Sequence, residues 1–233
     1  MIARSTGPAT GRPAAVAIAI AIAVSVAFAL AVAACAPPLG GGGSATPAPT
    51  DPPASSPPGA CPTSQPDPLP SGAVREITIA TALGTIVIDI RADLSPIATG
   101  NFVALASCGY YDGVMFHRAA TLPDGTPFVI QGGDPTGTGR GGPGYTIADE
   151  PVTASYGRGV VAMARTSEPN SVGSQFFIVL DDAARGVLES FNTYQIIGTV
   201  TSGMEAADAI YADADAEVPS RPVAMDSVTV STP

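Results

Sequence analysis

The chain has 233 residues, with 26 Gly, 24 Pro and 20 Asp+Glu against 10 basic residues, for a formal net charge of −10. That length allows one domain of ordinary size plus an appendage. So acidic a chain repels phosphate backbones, which argues against nucleic acid as a partner and fits a soluble surface of solvated carboxylates.

Arg4 and Arg12 lie in a polar start, and Ala14 to Ala34 is an apolar run broken only by Ser25. A run of about 20 such residues could span a bilayer as a helix. A basic end, an apolar core and small residues are equally the layout of a secretory signal peptide, expected here over residues 1–34. The tetrapeptide Val32-Ala33-Ala34-Cys35 resembles the lipobox of bacterial lipoproteins. That resemblance implies cleavage before Cys35 and a lipid on it, fixing the protein to the extracytoplasmic face of a cell membrane. Buried acyl CH₂ groups, at about 0.8 kcal/mol each, would supply the anchoring. An uncleaved signal anchor is the alternative, and it also puts the domain outside the cytoplasm.

Residues 35–72 are Pro, Gly, Ser, Ala and Thr with almost no large apolar side chain. Such a stretch cannot offset its ordering entropy, so a disordered tether is expected. Apart from Cys35, two cysteines remain, Cys61 in the tether and Cys108 beyond it. An even pair outside the cytoplasm suggests a disulfide pinning the tether's end to the domain, against the alternative of two free thiols.

The domain is expected over residues 73–233. Glu76 to Thr81 and Thr85 to Ile90 alternate polar and apolar around a turn at Gly84, the pattern of a half-buried hairpin. Ser95-Pro96 opens a helix, with Ser as N-cap, Pro at the first helical position and Gly109 just past the end. Its expected buried stripe is Ile97, Phe102, Leu105 and Ala106. Short strands follow at 114–117, 128–131, 160–165, 175–180 and 195–200. A second helix starts at Gly203-Met204, with Met204, Ala207 and Ile210 on one face. The last strand runs from about Val223 to Val230. Pattern alone gives an all-β, β-rich domain with two helices.

Two blocks carry chemistry. The first runs Met115-Phe116-His117-Arg118, then Phe128-Val129-Ile130-Gln131-Gly132-Gly133-Asp134-Pro135, then a glycine-rich run to Tyr145. The second is Pro169 to Ile178, with Gly173-Ser174-Gln175-Phe176-Phe177 at its centre. In this order they resemble the cyclophilin family of peptidyl-prolyl cis–trans isomerases, from about Arg75 to Ser231. The resemblance implies a closed, eight-stranded antiparallel barrel capped by helices. It implies rotation of Xaa-Pro peptide bonds in proline-containing polypeptides, with no metal and no cofactor. Arg118 is then the main catalytic group, a permanently charged guanidinium with a rigid fork of donors. Phe128 and Phe177 shape the proline pocket, Gln131 binds the substrate backbone, and Val129, Ala164, Arg165, Leu188 and Tyr194 line the groove.

The sequence also departs from the family. Nine residues separate Arg118 from Phe128, five more than the usual spacing, and Leu122 to Thr126 look like a turn inserted at the groove's rim. Arg165 stands where many members have Asn, and Tyr194 where His is common. Leu188 is the best match to a pocket wall usually given by Trp or Leu, with Phe191 as the alternative. The chain has no Trp, so weak cyclosporin binding is expected. Nothing in the sequence points beyond a monomer. His117, the only His, cannot build a metal site or a triad by itself and is given a structural role. Gly137-x-Gly139-x-x-Gly142 matches a dinucleotide-binding pattern, but Pro143-Gly144 follow where a helix would be required. A binding module that holds Pro-containing segments without turning them over is the rival reading; it would have no need of Arg118.

Overall fold

The computed structural model describes residues 60–233. The expected signal peptide, the lipid site at Cys35 and most of the expected tether lie outside the described residues. The alternating segments form a hairpin, β1 (Val74–Thr81) and β2 (Gly84–Arg91), in full register from Val74 opposite Arg91 to Thr81 opposite Gly84. Ile77, Ile79, Ile86, Ile88 and Ile90 are fully buried on one face, as a period of two demands. Helix α1 (Pro96–Ser107) follows. Then come β3 (Met115–Phe116), β4 (Arg118–Thr121), β5 (Pro127–Gly132), β6 (Val160–Met163) and β7 (Phe176–Val179). The chain ends with α2 (Ala184–Phe191), β8 (Ile196–Ser202), α3 (Met204–Asp213), β9 (Val223–Ala224) and β10 (Ser227–Ser231).

Eight strands make one sheet in the order β10-β1-β2-β8-β6-β7-β5-β4, antiparallel throughout. The expected strand number and direction are there, but the barrel is not closed: β4 and β10 are edges, and the sheet is a curled half-barrel. Between these edges sits a separate ribbon in which Met115 pairs with Ala224 and Phe116 with Val223. The chain breaks at His117 between β3 and β4, and at Met225-Asp226 between β9 and β10, so neither edge can carry its ladder across the gap. Helices number three rather than two among the described residues. The unexpected one, α2, has only eight residues and buries only Ala184 and Leu188.

Helix α1 is capped differently from the sequence-based expectation. Ser95 occupies the N-cap but its side chain caps nothing, and its Oγ is buried without a partner. The first-turn amides of Ile97 and Ala98 instead donate to the Glu150 carboxylate at 2.8 and 2.9 Å. A distant carboxylate thus satisfies orphan donors and faces the positive end of the helix.

The tether is shorter than expected. Cys61 and Cys108 are joined by a disulfide, Leu69 is buried, and the Leu69 amide donates to Pro96 O at 2.9 Å. Gln65 accepts from the Ala148 amide. This segment lies so close on α1 that a Cβ at Gly100 would stand 2.4 Å from Asp67 O. Residues 61–72 therefore belong to the domain: one covalent clip and one anchored Leu replace the core that their composition lacks.

Candidate active site

Arg118, Gln131 and Phe177 lie side by side across three strands. The register sets Arg118 of β4 opposite Gln131 of β5, and Gln131 opposite Phe177 of β7. Lateral partners share a face, so all three point to the outside of the sheet. The inner face carries Ala119, Ile130, Val161, Phe176 and Ile178 in the main core, whereas Ala120, Val129, Ala162, Phe177 and Val179 make a second, outer cluster.

Strict alternation would send Phe128 inward. A β-bulge prevents it: Ala120 pairs with Val129 but Thr121 pairs with Pro127, leaving Phe128 as the extra residue. Bulges re-aim side chains in this way, and Phe128 joins Val129 in the outer cluster, half-buried. Leu188 of α2 is buried in the same cluster, with Ala164 and Tyr194 packed against it. The Tyr194 ring meets Phe177 edge-on at 5.4 Å and Phe191 at 6.4 Å. Tyr194 is held by buried Tyr156, whose hydroxyl donates to Tyr194 O at 2.8 Å and accepts from the Tyr194 amide at 3.1 Å. Burial pushes the Tyr156 hydroxyl up to about 12. Burial also raises that of Tyr194, against the opposing charges of Arg118 and Arg165.

Polar groups form a chain along the groove. Arg118 Nη1 donates to Gln131 Oε1 at 3.3 Å, Gln131 Nε2 to Gln175 Oε1 at 2.9 Å, and Gln175 Nε2 to Gly141 O at 2.9 Å. On its other side Arg118 donates from Nε to Glu217 Oε1 at 2.7 Å, and its Nη2 forms an ion pair with the same oxygen, also at 2.7 Å. The Arg118 side chain is 31% exposed. Arg165 is placed differently: its guanidinium holds Asp149 at 3.1 Å and the Thr166 and Glu168 carbonyls. The five extra residues extend the β4–β5 hairpin as a turn closed by the Leu122 amide donating to Thr126 O. Pro123, Asp124 and Gly125 are exposed and take no part in the outer cluster.

A cationic fork beside an apolar groove, with an amide side chain between them, is arranged to grip a peptide backbone. The family model for cyclophilin-type peptidyl-prolyl cis–trans isomerases matches residues 76–230. The chain belongs to the cyclophilin-type peptidyl-prolyl cis–trans isomerases. It is 45% identical over 134 residues to peptidyl-prolyl cis-trans isomerase-like 1 of Rhizopus delemar, covering 55% of this chain and 75% of that one. It is 37% identical over 163 residues to peptidyl-prolyl cis-trans isomerase-like 3 of Dictyostelium discoideum, covering 66% of this chain and 94% of that one. A crystal structure of a Cryptosporidium parvum cyclophilin determined in the presence of the dipeptide Ala-Pro superposes with a TM-score of 0.58. It shares 30% identity and covers 68% of this chain and 99% of that one.

In this cyclophilin the fold brings Phe128, Val129, Ala164, Phe177, Leu188 and Tyr194 into the outer cluster, sets Gln131 and Arg118 on the same face of the sheet, and holds Arg165 on Asp149. Sequence reasoning missed Gln175, Tyr156 and Glu217. Gln175 stood inside the second block, beside Phe176-Phe177, and that was signal enough. Tyr156 and Glu217 lie in irregular segments with no pattern to mark them. The glycine-rich loop is a wrapping around Asp134, not a nucleotide cradle. The Asp134 carboxylate accepts from the Thr136 amide and hydroxyl and the Gly141 amide, at 2.7, 2.8 and 3.0 Å. A Cβ on Gly141 would fall 1.9 Å from Asp134 Oδ1, so only glycine fits there. His117 is buried with both ring nitrogens unpartnered, and burial lowers its pKa.

Proposed function

We propose that this cyclophilin isomerises Xaa-Pro bonds of secreted or envelope polypeptides on the outer side of a membrane, held there by a lipid on Cys35. Rotation about the bond preceding proline has a barrier of about 18–20 kcal/mol and takes tens to hundreds of seconds unaided. No bond breaks. What accelerates it is anything favouring the twisted amide, whose nitrogen has regained its lone pair. The Arg118 guanidinium donates toward that nitrogen, Gln131 holds the substrate backbone, and Phe128, Val129, Phe177 and Leu188 seat the proline ring.

Bringing tens of seconds to about a millisecond requires about 6–7 kcal/mol. One charge-assisted hydrogen bond contributes about 1.5–3 kcal/mol. The rest comes from the apolar groove, which excludes water and strengthens each polar contact. The observation that carries this mechanism is the lateral row Arg118–Gln131–Phe177, which sets the cation and the apolar wall on one face of the sheet with Gln131 between them. The full chain should accelerate exchange of an Ala-Pro peptide in a protease-coupled assay, and an unchanged rate would contradict the mechanism.

The extracytoplasmic placement is supported by the Cys61–Cys108 disulfide, a bond that persists in oxidising compartments, and by the lipobox-like Val32-Ala33-Ala34-Cys35. Among the described residues no helix is long and apolar enough to cross a membrane; the assignment of the anchor to a lipid rests on the lipobox-like tetrapeptide. Fatty-acid labelling in a bacterial host should mark the wild type and not Cys35→Ser, which should leave the membrane fraction. A membrane-bound Cys35→Ser protein would contradict the anchor. In the absence of Trp, cyclosporin should inhibit only weakly.

A further inference from the structure

We infer that Glu217 is a positioning residue for catalysis: it fixes the plane of the Arg118 guanidinium so that the opposite edge of the fork faces the groove. The inference deepens the assignment of Arg118 made above and rests on it. An Arg side chain free in solvent has about 2 kcal/mol of rotamer entropy, and a guanidinium swinging through several orientations meets the twisted amide only part of the time. Gln131 holds it by a single 3.3 Å contact to Nη1. Glu217 holds it by two 2.7 Å contacts, from Nε and from Nη2, to one carboxylate oxygen. Together they clamp the guanidinium from two sides and leave hydrogens on Nη1 and Nη2 free for substrate.

Exposed ion pairs usually contribute little, because both side chains must be ordered for a screened attraction. Glu217 is 60% exposed, so the pair matters only if the carboxylate is presented already in place. Its backbone is in fact fixed. The Ala119 amide, next in the chain after Arg118, donates to Glu217 O at 2.8 Å, seating this segment along the free edge of β4. Two residues before Glu217, the Asp215 carboxylate accepts from the Ser220 amide at 2.9 Å and the Ser220 hydroxyl at 2.5 Å, closing 215–220 into a turn. Cation and carboxylate therefore sit on neighbouring backbones joined by a hydrogen bond, and little ordering is left to the pair itself. A clamp of this kind acts on orientation in the transition state more than on substrate affinity, so its signature is in kcat.

The test compares full-length wild type, Glu217→Ala, Glu217→Gln, Arg118→Ala and the Arg118→Ala/Glu217→Ala double variant, in the peptide assay and by urea unfolding. Glu217→Ala is expected to lower kcat about fivefold to tenfold with KM within about twofold. Glu217→Gln keeps an acceptor of the same reach and should recover part of that loss. In the Arg118→Ala background, Glu217→Ala should change nothing further, since the two act as one unit. The inference is overturned by an unchanged kcat in Glu217→Ala, or by the same loss with Arg118 already gone. A faster Glu217→Ala enzyme would overturn it too, and would show a carboxylate competing with substrate. A kcat that holds per folded molecule while the unfolding midpoint drops would make the role structural and overturn it as well. Should Glu217→Ala fail to fold, Glu217→Gln decides, with full wild-type kcat as the contradicting result. If Arg118→Ala itself keeps the wild-type rate, the mechanism above has failed; if it falls and Glu217→Ala does not, only this inference has.

Discussion

Phe176 and Phe177 are neighbours in one strand and nearly equally buried, at 0% and 4% exposure, yet they belong to different halves of the molecule. Phe176 points inward, with edge-on contacts to Phe102, Tyr111 and Phe116 at 5.2, 5.8 and 6.0 Å. Phe177 points outward, next to Gln131 in the register and edge-on to Tyr194. The inner face of the sheet is the main apolar core; the outer face carries a second, smaller apolar cluster with Arg118 and Gln131 on the same face. Burial alone does not tell them apart. The period of two in β7 does, sending Phe176 and Ile178 to the inner core and Phe177 and Val179 to the outer cluster.

The sharpest way to break this comparison is to truncate one Phe at a time. Phe176→Ala should cost about 3–5 kcal/mol of unfolding free energy, the usual loss for a core Phe, while kcat/KM per folded molecule stays within about twofold. Reducing the Cys61–Cys108 bond, which spans 47 residues, should cost about 2–4 kcal/mol in urea unfolding. Activity of the folded fraction should not change, since the clip lies on α1 and not on the groove. Phe177→Leu, a modest change of shape on the outer face, should lower kcat/KM about tenfold at a stability cost below about 1.5 kcal/mol.

The smallest effect is expected from acid. Burial pushes the Asp134 carboxyl up, but the hydrogen bonds from Gly141 and Thr136 outweigh it and hold the carboxyl below its ordinary value. A depressed carboxyl stabilises the fold above its unfolded pKa, about 3.9, and loses that contribution as pH falls through the folded value. The stability difference between wild type and Asp134→Asn should thus be flat from pH 8 to about 5 and narrow below about 4. A difference that widens in acid would contradict this account of the loop.

Much of this was legible in the residues. The alternation in 76–81 and 85–90 located β1 and β2, and the two blocks located the groove. What was not legible has physical causes. Helix α2 is too short for its two buried residues to show a period. The cap of α1 comes from Glu150, more than fifty residues on, and no local rule reaches that far. Closure of the barrel depends on where two strands break, at His117 and at Met225, and propensity is silent there. The Cys61–Cys108 bond was suggested by the cysteine count, but residues 61–72 still read as tether because composition does not show that Leu69 packs on α1. Phe128 was placed in the groove by resemblance alone; the bulge that turns it outward is a matter of register, which the sequence does not state.

The central claim is that catalysis belongs to the outer face and is separable from the core beneath it. Measuring kcat/KM on an Ala-Pro peptide alongside unfolding free energy, for wild type and Arg118→Ala, tests that directly. The expected result is a loss of about 10–100-fold in kcat/KM with unfolding free energy unchanged within about 0.5 kcal/mol. Equal rates for the two proteins, or a loss of rate that merely follows a loss of folded protein, would contradict it.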